Sequence, residues 1–534
     1  MPQTPNNPTR RSFLQQTTLL AAATGLSALS NTSWANAPAS PIARIRSGRL
    51  AGQTENGTHV FRGIPYGADT APRRFQSALQ EHPWRGIRDA LDYAAAAPQT
   101  GSEGPGSEDC LYLNVWTPAL RDGAKRPILF YIHGGAYNNG SGSDPLYDGG
   151  NLSRRGDVVV VTVNHRLNLF GYLYLAQLGD ETFADSGNVG QLDLVQALQW
   201  VRQHAAEFGG DADNVTVFGQ SGGGAKIATL MAMPAAKGLF HRAWTMSGQQ
   251  ATAAGPRAAT QRAQLVLDHL KADPEALRRM PMQQLLEAVK VRDPSRVENS
   301  SLYVGPVLDA RNLPVHPFWP QAPQQSATIP MVIGNTHDET RAFLGNDPKN
   351  FELSWEDLPA KLETQQYVDL LPSVVIAEYR RLYPQYTPSD VFFAATTAGR
   401  SWRGAVEELE ARARQGAPTW AYQLDGYDRD GDAARLRAFH TLDIPLVFHN
   451  NRQPGSRTGS GAAMQQLADT MSDALLALAR HGDPNHAGLP HWQQYGLERR
   501  QTMLFDTQSR QMDDPRGGER RLYQQAPFIQ RGTF

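Results

Sequence analysis

The sequence predicts an α/β fold, with an open, mostly parallel, doubly wound central sheet and helices on both of its faces. Short continuous apolar runs recur along the chain, as in strands covered on both sides, and longer segments of helical period fall between them. The 534 residues suffice for one large core, and enzymes of this class commonly run long as a single unit.

The first segment reads as an address. Residues 9–14 are Thr-Arg-Arg-Ser-Phe-Leu, and residues 19–29 form an apolar run without charge. Paired arginines ahead of such a run are the pattern read by the twin-arginine export machinery, here an expected transient partner. The run is too short to cross a hydrocarbon core of about 30 Å, so no permanent membrane anchor is expected. Ala37-Pro38-Ala39 offers small residues for cleavage. Residues 1–39 are therefore expected to be a signal peptide, and 40–534 a single domain in the periplasm or outside the cell. Asn56, Asn151, Asn214 and Asn299 match glycosylation acceptors, which a bacterial export signal makes coincidental.

Each element then follows in order. Runs 128–132 and 158–163 predict buried strands. Leu194, Leu198 and Val201 recur at helical spacing through 190–206, and Gly209-Gly210 stops that helix. Residues 215–218 predict a strand, 225–233 a helix, and 243–246, 330–333 and 420–424 three further strands. The stretch 251–290 reads as helical, rich in Leu and Arg, and is expected to cover the sheet.

Composition excludes several classes of function. Lys and Arg number 51 and Asp and Glu 52, which leaves no basic field for nucleic acid. A single cysteine, Cys110, excludes an intrachain disulfide and a thiolate metal cluster. No cofactor and no metal are expected.

The chemistry centres on Gly219-Gln220-Ser221-Gly222-Gly223, where strand 215–218 passes directly into helix 225–233. A serine on such a strand-to-helix turn stands clear of the sheet, and flanking glycines avoid collision. Gly219 and Gly224 are also spaced as in a phosphate loop. Ala225 ahead of Lys226, and Ile227 in place of Ser or Thr, break that pattern. A serine nucleophile needs donors for the oxyanion it creates. His133-Gly134-Gly135-Ala136-Tyr137 follows strand 128–132 and can curl its amides toward Ser221.

These residues make the chain similar to the type-B carboxylesterases, a family that includes the cholinesterases. Similarity runs from Gly63-Ile64-Pro65-Tyr66 to Gly482-Asp483-Pro484-Asn485. Its most specific match is Glu108-Asp109-Cys110-Leu111-Tyr112-Leu113-Asn114-Val115, and Phe208-Gly209-Gly210-Asp211 adds another. The resemblance implies an α/β-hydrolase fold and cleavage of small-molecule carboxylic esters through an acyl-enzyme, with a Ser-His-Glu triad. Adjacency alone leaves Asp338 and Glu339 both open as the acid; the family pattern selects Glu339, after Ile333-Gly334. It also selects His440, in His440-Thr441-Leu442-Asp443-Ile444-Pro445, over His165 and His449. The order Ser221, Glu339, His440 is the one α/β-hydrolases use. By the same resemblance, amides of Gly135, Ala136 and Gly222 form the oxyanion hole, and Ser247 and Asp443 stand behind the triad.

Several positions depart from the family. Gln220 replaces its usual Glu, Gly222 its usual Ala, and Ala136 a common third glycine. None of these changes removes a backbone donor. The family's disulfide partner of Cys110 falls near Ala97, which leaves that loop unstapled. No Trp between Ala97 and Cys110 is available to stack a choline, so choline esters are not expected substrates. A noncatalytic adhesion or scaffold role is the rival of another class, and Ser221 speaks against it. Amides, lactams and polyesters stay open as alternative substrates.

Overall fold

A computed structural model describes residues 40–530, apart from Ser102, Pro105, 295–300 and Asp432. The predicted export segment and the Asn299 acceptor lie outside the described residues. Residues Ser40–Phe534 make one compact unit.

In chain order the strands are β1 (Ile42–Ile45), β2 (Gly48–Ala51), β3 (Gln53–Glu55), β4 (Thr58–Pro65), β5 (Ile87–Asp89), β6 (Tyr112–Thr117) and β7 (Arg126–Ile132). There follow β8 (Val159–Val163), β9 (Gly210–Gln220), β10 (Arg242–Met246), β11 (Met331–Thr336), β12 (Thr419–Leu424), β13 (Gln501–Phe505) and β14 (Arg510–Asp513). Strands β1, β2 and β5 form a small separate sheet, and the other eleven form one sheet ordered β14-β13-β12-β11-β10-β9-β7-β8-β6-β4-β3. From β13 to β8 all neighbours are parallel. Antiparallel pairs close both edges.

The continuous apolar runs are explained by burial on both faces. Along β7, Ile128, Phe130 and Ile132 pack into one core with Leu194, Leu198 and Val201 of the helix Val189–His204. Leu129 and Tyr131 point the other way, into a second core with the helix Ala462–His481. A period-2 backbone thus feeds two hydrophobic layers from one uninterrupted apolar string. Every predicted strand and both predicted helices form, with boundaries shifted by a few residues; β9 is longer than its predicted run, and the second helix starts earlier, at Gly222. The stretch 251–290 folds as helices Pro256–Leu270, Pro274–Leu277 and Met282–Ala288, which share a cluster with Tyr137, Phe170 and Ala225. Among the described residues no helix is long and apolar enough to cross a membrane.

One feature of the strand order positions the site. From β7 the chain crosses to β8 on one side, and from β9 it crosses to β10 on the other, so these two connections leave the adjacent pair β7 and β9 in opposite directions. In an open α/β sheet this reversal opens a crevice at the carboxyl ends of the strands.

Candidate active site

Ser221 follows β9 directly and is the N-cap of the helix Gly222–Leu230, with φ 54° and ψ −124°. A positive φ is costly for a residue with a side chain, and the surroundings impose it. The Ser221 N–H donates to Met246 O at 2.7 Å. A Cβ on Gly223 would stand 1.9 Å from Ile132 O, and one on Gly222 2.1 Å from Ala136 O. Only backbone fits at these two contacts, so the turns after β7 and β9 lie directly against each other.

The turn after β7 carries Gly135 at φ 84° and Ala136 at φ 53°, so the alanine adopts a glycine-like conformation. Among the described residues the amides of Gly135, Ala136 and Gly222 donate to no acceptor. The Gly222 amide is one of the unpaired donors at its helix's first turn. Their proximity follows from the Gly222–Ala136 contact.

Glu339 lies just beyond β11 and is fully buried. Its Oε1 accepts from Thr336 N at 2.9 Å and from Asn335 Nδ2 at 3.2 Å, and its Oε2 meets His440 Nδ1 in a short hydrogen bond. Asp338, which sequence alone could not separate from Glu339, faces elsewhere. It accepts from His337 Nδ1 at 3.0 Å and Arg341 Nε at 3.2 Å. Burial works to raise its carboxyl, but His337, Arg341 and Arg437 together hold it below the ordinary aspartate value.

With Nδ1 on Glu339, His440 turns Nε2 away from the acid, the arrangement in which a neutral imidazole can serve as a general base. That nitrogen receives the Gln220 side-chain amide at 3.1 Å. Among the described residues Ser221 Oγ makes no hydrogen bond, so at rest Gln220 occupies the place that a triad gives to the serine. In the sequence Gln220 stands out only as a departure from the family, with nothing to place it on the histidine, and no motif marks Phe343, whose half-exposed ring packs 4.7 Å from the imidazole.

The two residues expected behind the triad are Ser247 and Asp443. Ser247, at φ 50°, accepts from Thr336 N at 3.3 Å, the same amide that supports Glu339. Asp443 accepts from Tyr422 OH at 2.8 Å, and its other oxygen has no partner. Burial, with Glu339 nearby, pushes its carboxyl up to about 7, against the pull of Tyr422 and His440. The folded protein therefore retains a proton here that the unfolded chain releases near pH 4. Stability from this group is present below that pH and is lost as pH rises toward 7. The melting temperature of Asp443→Asn, measured relative to the parent, should accordingly rise between pH 5 and pH 8. A difference independent of pH would show that Asp443 does not titrate in this way.

The geometry is matched by kinship over nearly the whole chain. A model of the carboxylesterase family matches residues 39–521. The chain is 35% identical over 493 residues to the para-nitrobenzyl esterase of Bacillus subtilis strain 168, covering 90% of this chain and 97% of that protein. It is 33% identical over 475 residues to the phenmedipham hydrolase of Pseudarthrobacter oxydans, covering 85% and 92%. The crystal structure of a Geobacillus stearothermophilus carboxylesterase superposes with a TM-score of 0.80 at 37% identity, covering 90% of this chain and 99% of that one. Since the match begins before the first described strand and ends in the last helix, the chain belongs to the carboxylesterase family, has its α/β-hydrolase fold, and is a carboxylic-ester hydrolase.

Proposed function

We propose that this protein cleaves small-molecule carboxylic esters through an acyl-enzyme formed on Ser221. The observation that carries this reading is the alignment of Glu339, His440 and the Ser221 turn, with three unpaired amides beside it. His440 exchanges the Gln220 amide for Ser221 Oγ when substrate is seated. Ser221 Oγ then forms a bond to the ester carbonyl carbon as its proton passes to His440 Nε2. The carbonyl oxygen becomes an oxyanion facing the amides of Gly135, Ala136 and Gly222. When the carbon–alkoxide bond breaks, His440 delivers the proton to the departing alcohol. Water repeats the sequence in reverse and releases the acid. Glu339 holds the imidazole tautomer and stabilises the imidazolium.

Ser221→Ala should leave the fold intact, abolish labelling by an organophosphate, and lower kcat by about ten-thousand-fold or more. Retained labelling on another serine would move the nucleophile elsewhere. Glu339→Gln should lower kcat by about four orders of magnitude with KM nearly unchanged. Asp338→Asn should act on melting temperature instead, because its partners are His337 and Arg341. The reverse pattern in these two variants would exchange their roles.

We propose further that residues 1–39 direct export of the folded enzyme through the twin-arginine machinery, with cleavage after Ala39 and activity in the periplasm or outside the cell. The Arg10-Arg11 pair ahead of the uncharged run 19–29 supports this reading. Replacing both arginines by Lys should retain full-length precursor in the cytoplasm, as read by fractionation and immunoblotting. Unchanged periplasmic activity would refute the targeting.

A further inference from the structure

Lys226 has no part in the chemistry above, yet it sits on the second turn of the nucleophile's own helix with no exposed surface. Burying an ammonium is expensive, and a buried lysine ordinarily pairs with a carboxylate. Among the described residues no carboxylate lies within ion-pair distance of Lys226. Its Nζ donates instead to Ala136 O at 2.7 Å and to His133 O at 3.4 Å, and lies 5.3 Å from the centre of the Tyr137 ring. All three partners belong to the turn after β7.

We infer that Lys226 is a positioning residue for the oxyanion hole, a buried cation that clamps the His133–Ala136 turn onto the nucleophile helix. The two carbonyls it holds bracket Gly134 and Gly135, so both ends of the segment carrying two of the three oxyanion donors are fixed from behind. Ala136 is kept at its unfavourable positive φ by the bond to its own carbonyl. A positive charge one residue's width from the Ala136 amide also favours negative charge on the far side of that amide.

The groups facing the ammonium are consistent with this role. His133 and His165 stack 4.8 Å apart, and the Nε2 atom of each is unpartnered. Burial first, and then Lys226, depress both imidazoles, His133 to about 3, so neither competes as a cation. Tyr137 contributes its ring face. Burial lowers Lys226 itself to about 7, so near neutral pH cation and amine are present in comparable share, and either form keeps a hydrogen to donate to Ala136 O. The oxyanion that forms during turnover would supply a negative charge on the far side of the turn.

The inference rests on the proposed acyl-enzyme reading, and the test separates the two. In Lys226→Met the stem is kept and the charge removed; in Lys226→Gln one donor is kept without charge. Active sites are counted by organophosphate labelling of Ser221. Then kcat, KM and the Ki of a trifluoromethyl ketone are measured. This inhibitor accepts a bond from Ser221 Oγ and turns its carbonyl oxygen into an oxyanion while the proton moves to His440. In Lys226→Met, kcat per labelled site should fall about 10- to 100-fold with KM within about twofold, and Ki should weaken by the same factor as kcat/KM. Lys226→Gln should fall between it and the parent. Parental kcat per labelled site together with parental Ki would overturn the inference, as would a loss confined to KM or to the fraction of labelled sites. Should Lys226→Met not fold, Lys226→Gln is judged by the same criteria. Failure of Ser221 to label in the parent would instead overturn the underlying reading.

Discussion

The site depends on how closely three backbone turns approach at the carboxyl ends of β7, β9 and β10. Side chains at the contact points would interpenetrate neighbouring carbonyls: Gly223 against Ile132, Gly222 against Ala136, and Gly248 1.9 Å from Ser221 O. With nothing but backbone between them, the serine, its amide donors and the support for its acid are brought together without any long side chain having to reach. Ser221, Ala136 and Ser247 all take positive φ at these turns, and Thr441 does so at 81° beside the histidine. Such conformations persist only where surrounding structure over-determines them, and here the packed parallel sheet supplies that rigidity.

Charge is arranged around this frame with little redundancy. Glu339 is held on Oε1 by an amide N–H and the Asn335 side chain, leaving Oε2 for the histidine. Asp443, close by, is raised to about 7 by burial and by Glu339, so a second full negative charge beside the imidazole is disfavoured. On the opposite side Lys226 places its cation behind the oxyanion turn. In the proposed mechanism this order, from Glu339 through His440 and Ser221 to the amides in front of Lys226, is the direction in which negative charge moves when the tetrahedral intermediate forms.

Much of this was legible in the sequence because the central strands are buried on both faces and write themselves as unbroken apolar runs. The elbow motif and the glycine turn were legible because close backbone contact admits few residue types. The edge strands β3 and β14 and their neighbours β4 and β13 were not, since they are short or carry polar residues toward solvent, as in the exposed or half-exposed Arg510-Gln511-Met512-Asp513. Sequence adjacency could not separate Asp338 from Glu339; the distinction lies in Arg341, three residues on, and Arg437, from elsewhere in the fold, which both claim Asp338. Lys226 was read only as a mismatch to a phosphate loop. Its signal was a lone lysine in an otherwise apolar helix, and its meaning depends on Ala136, ninety residues earlier in the chain. Gln220 is similar: its contact with His440 spans 220 residues.

The most direct test of this account is the identity of the atom that takes the acyl group. Rapid mixing with a p-nitrophenyl dialkylcarbamate, which leaves a slowly hydrolysed carbamoyl-enzyme, followed by acid quench and peptide mass spectrometry, reads it. The account predicts one p-nitrophenolate released and one carbamoyl group bound per chain, on the peptide carrying Ser221. Release without a covalent adduct, or an adduct on any other residue, would contradict it.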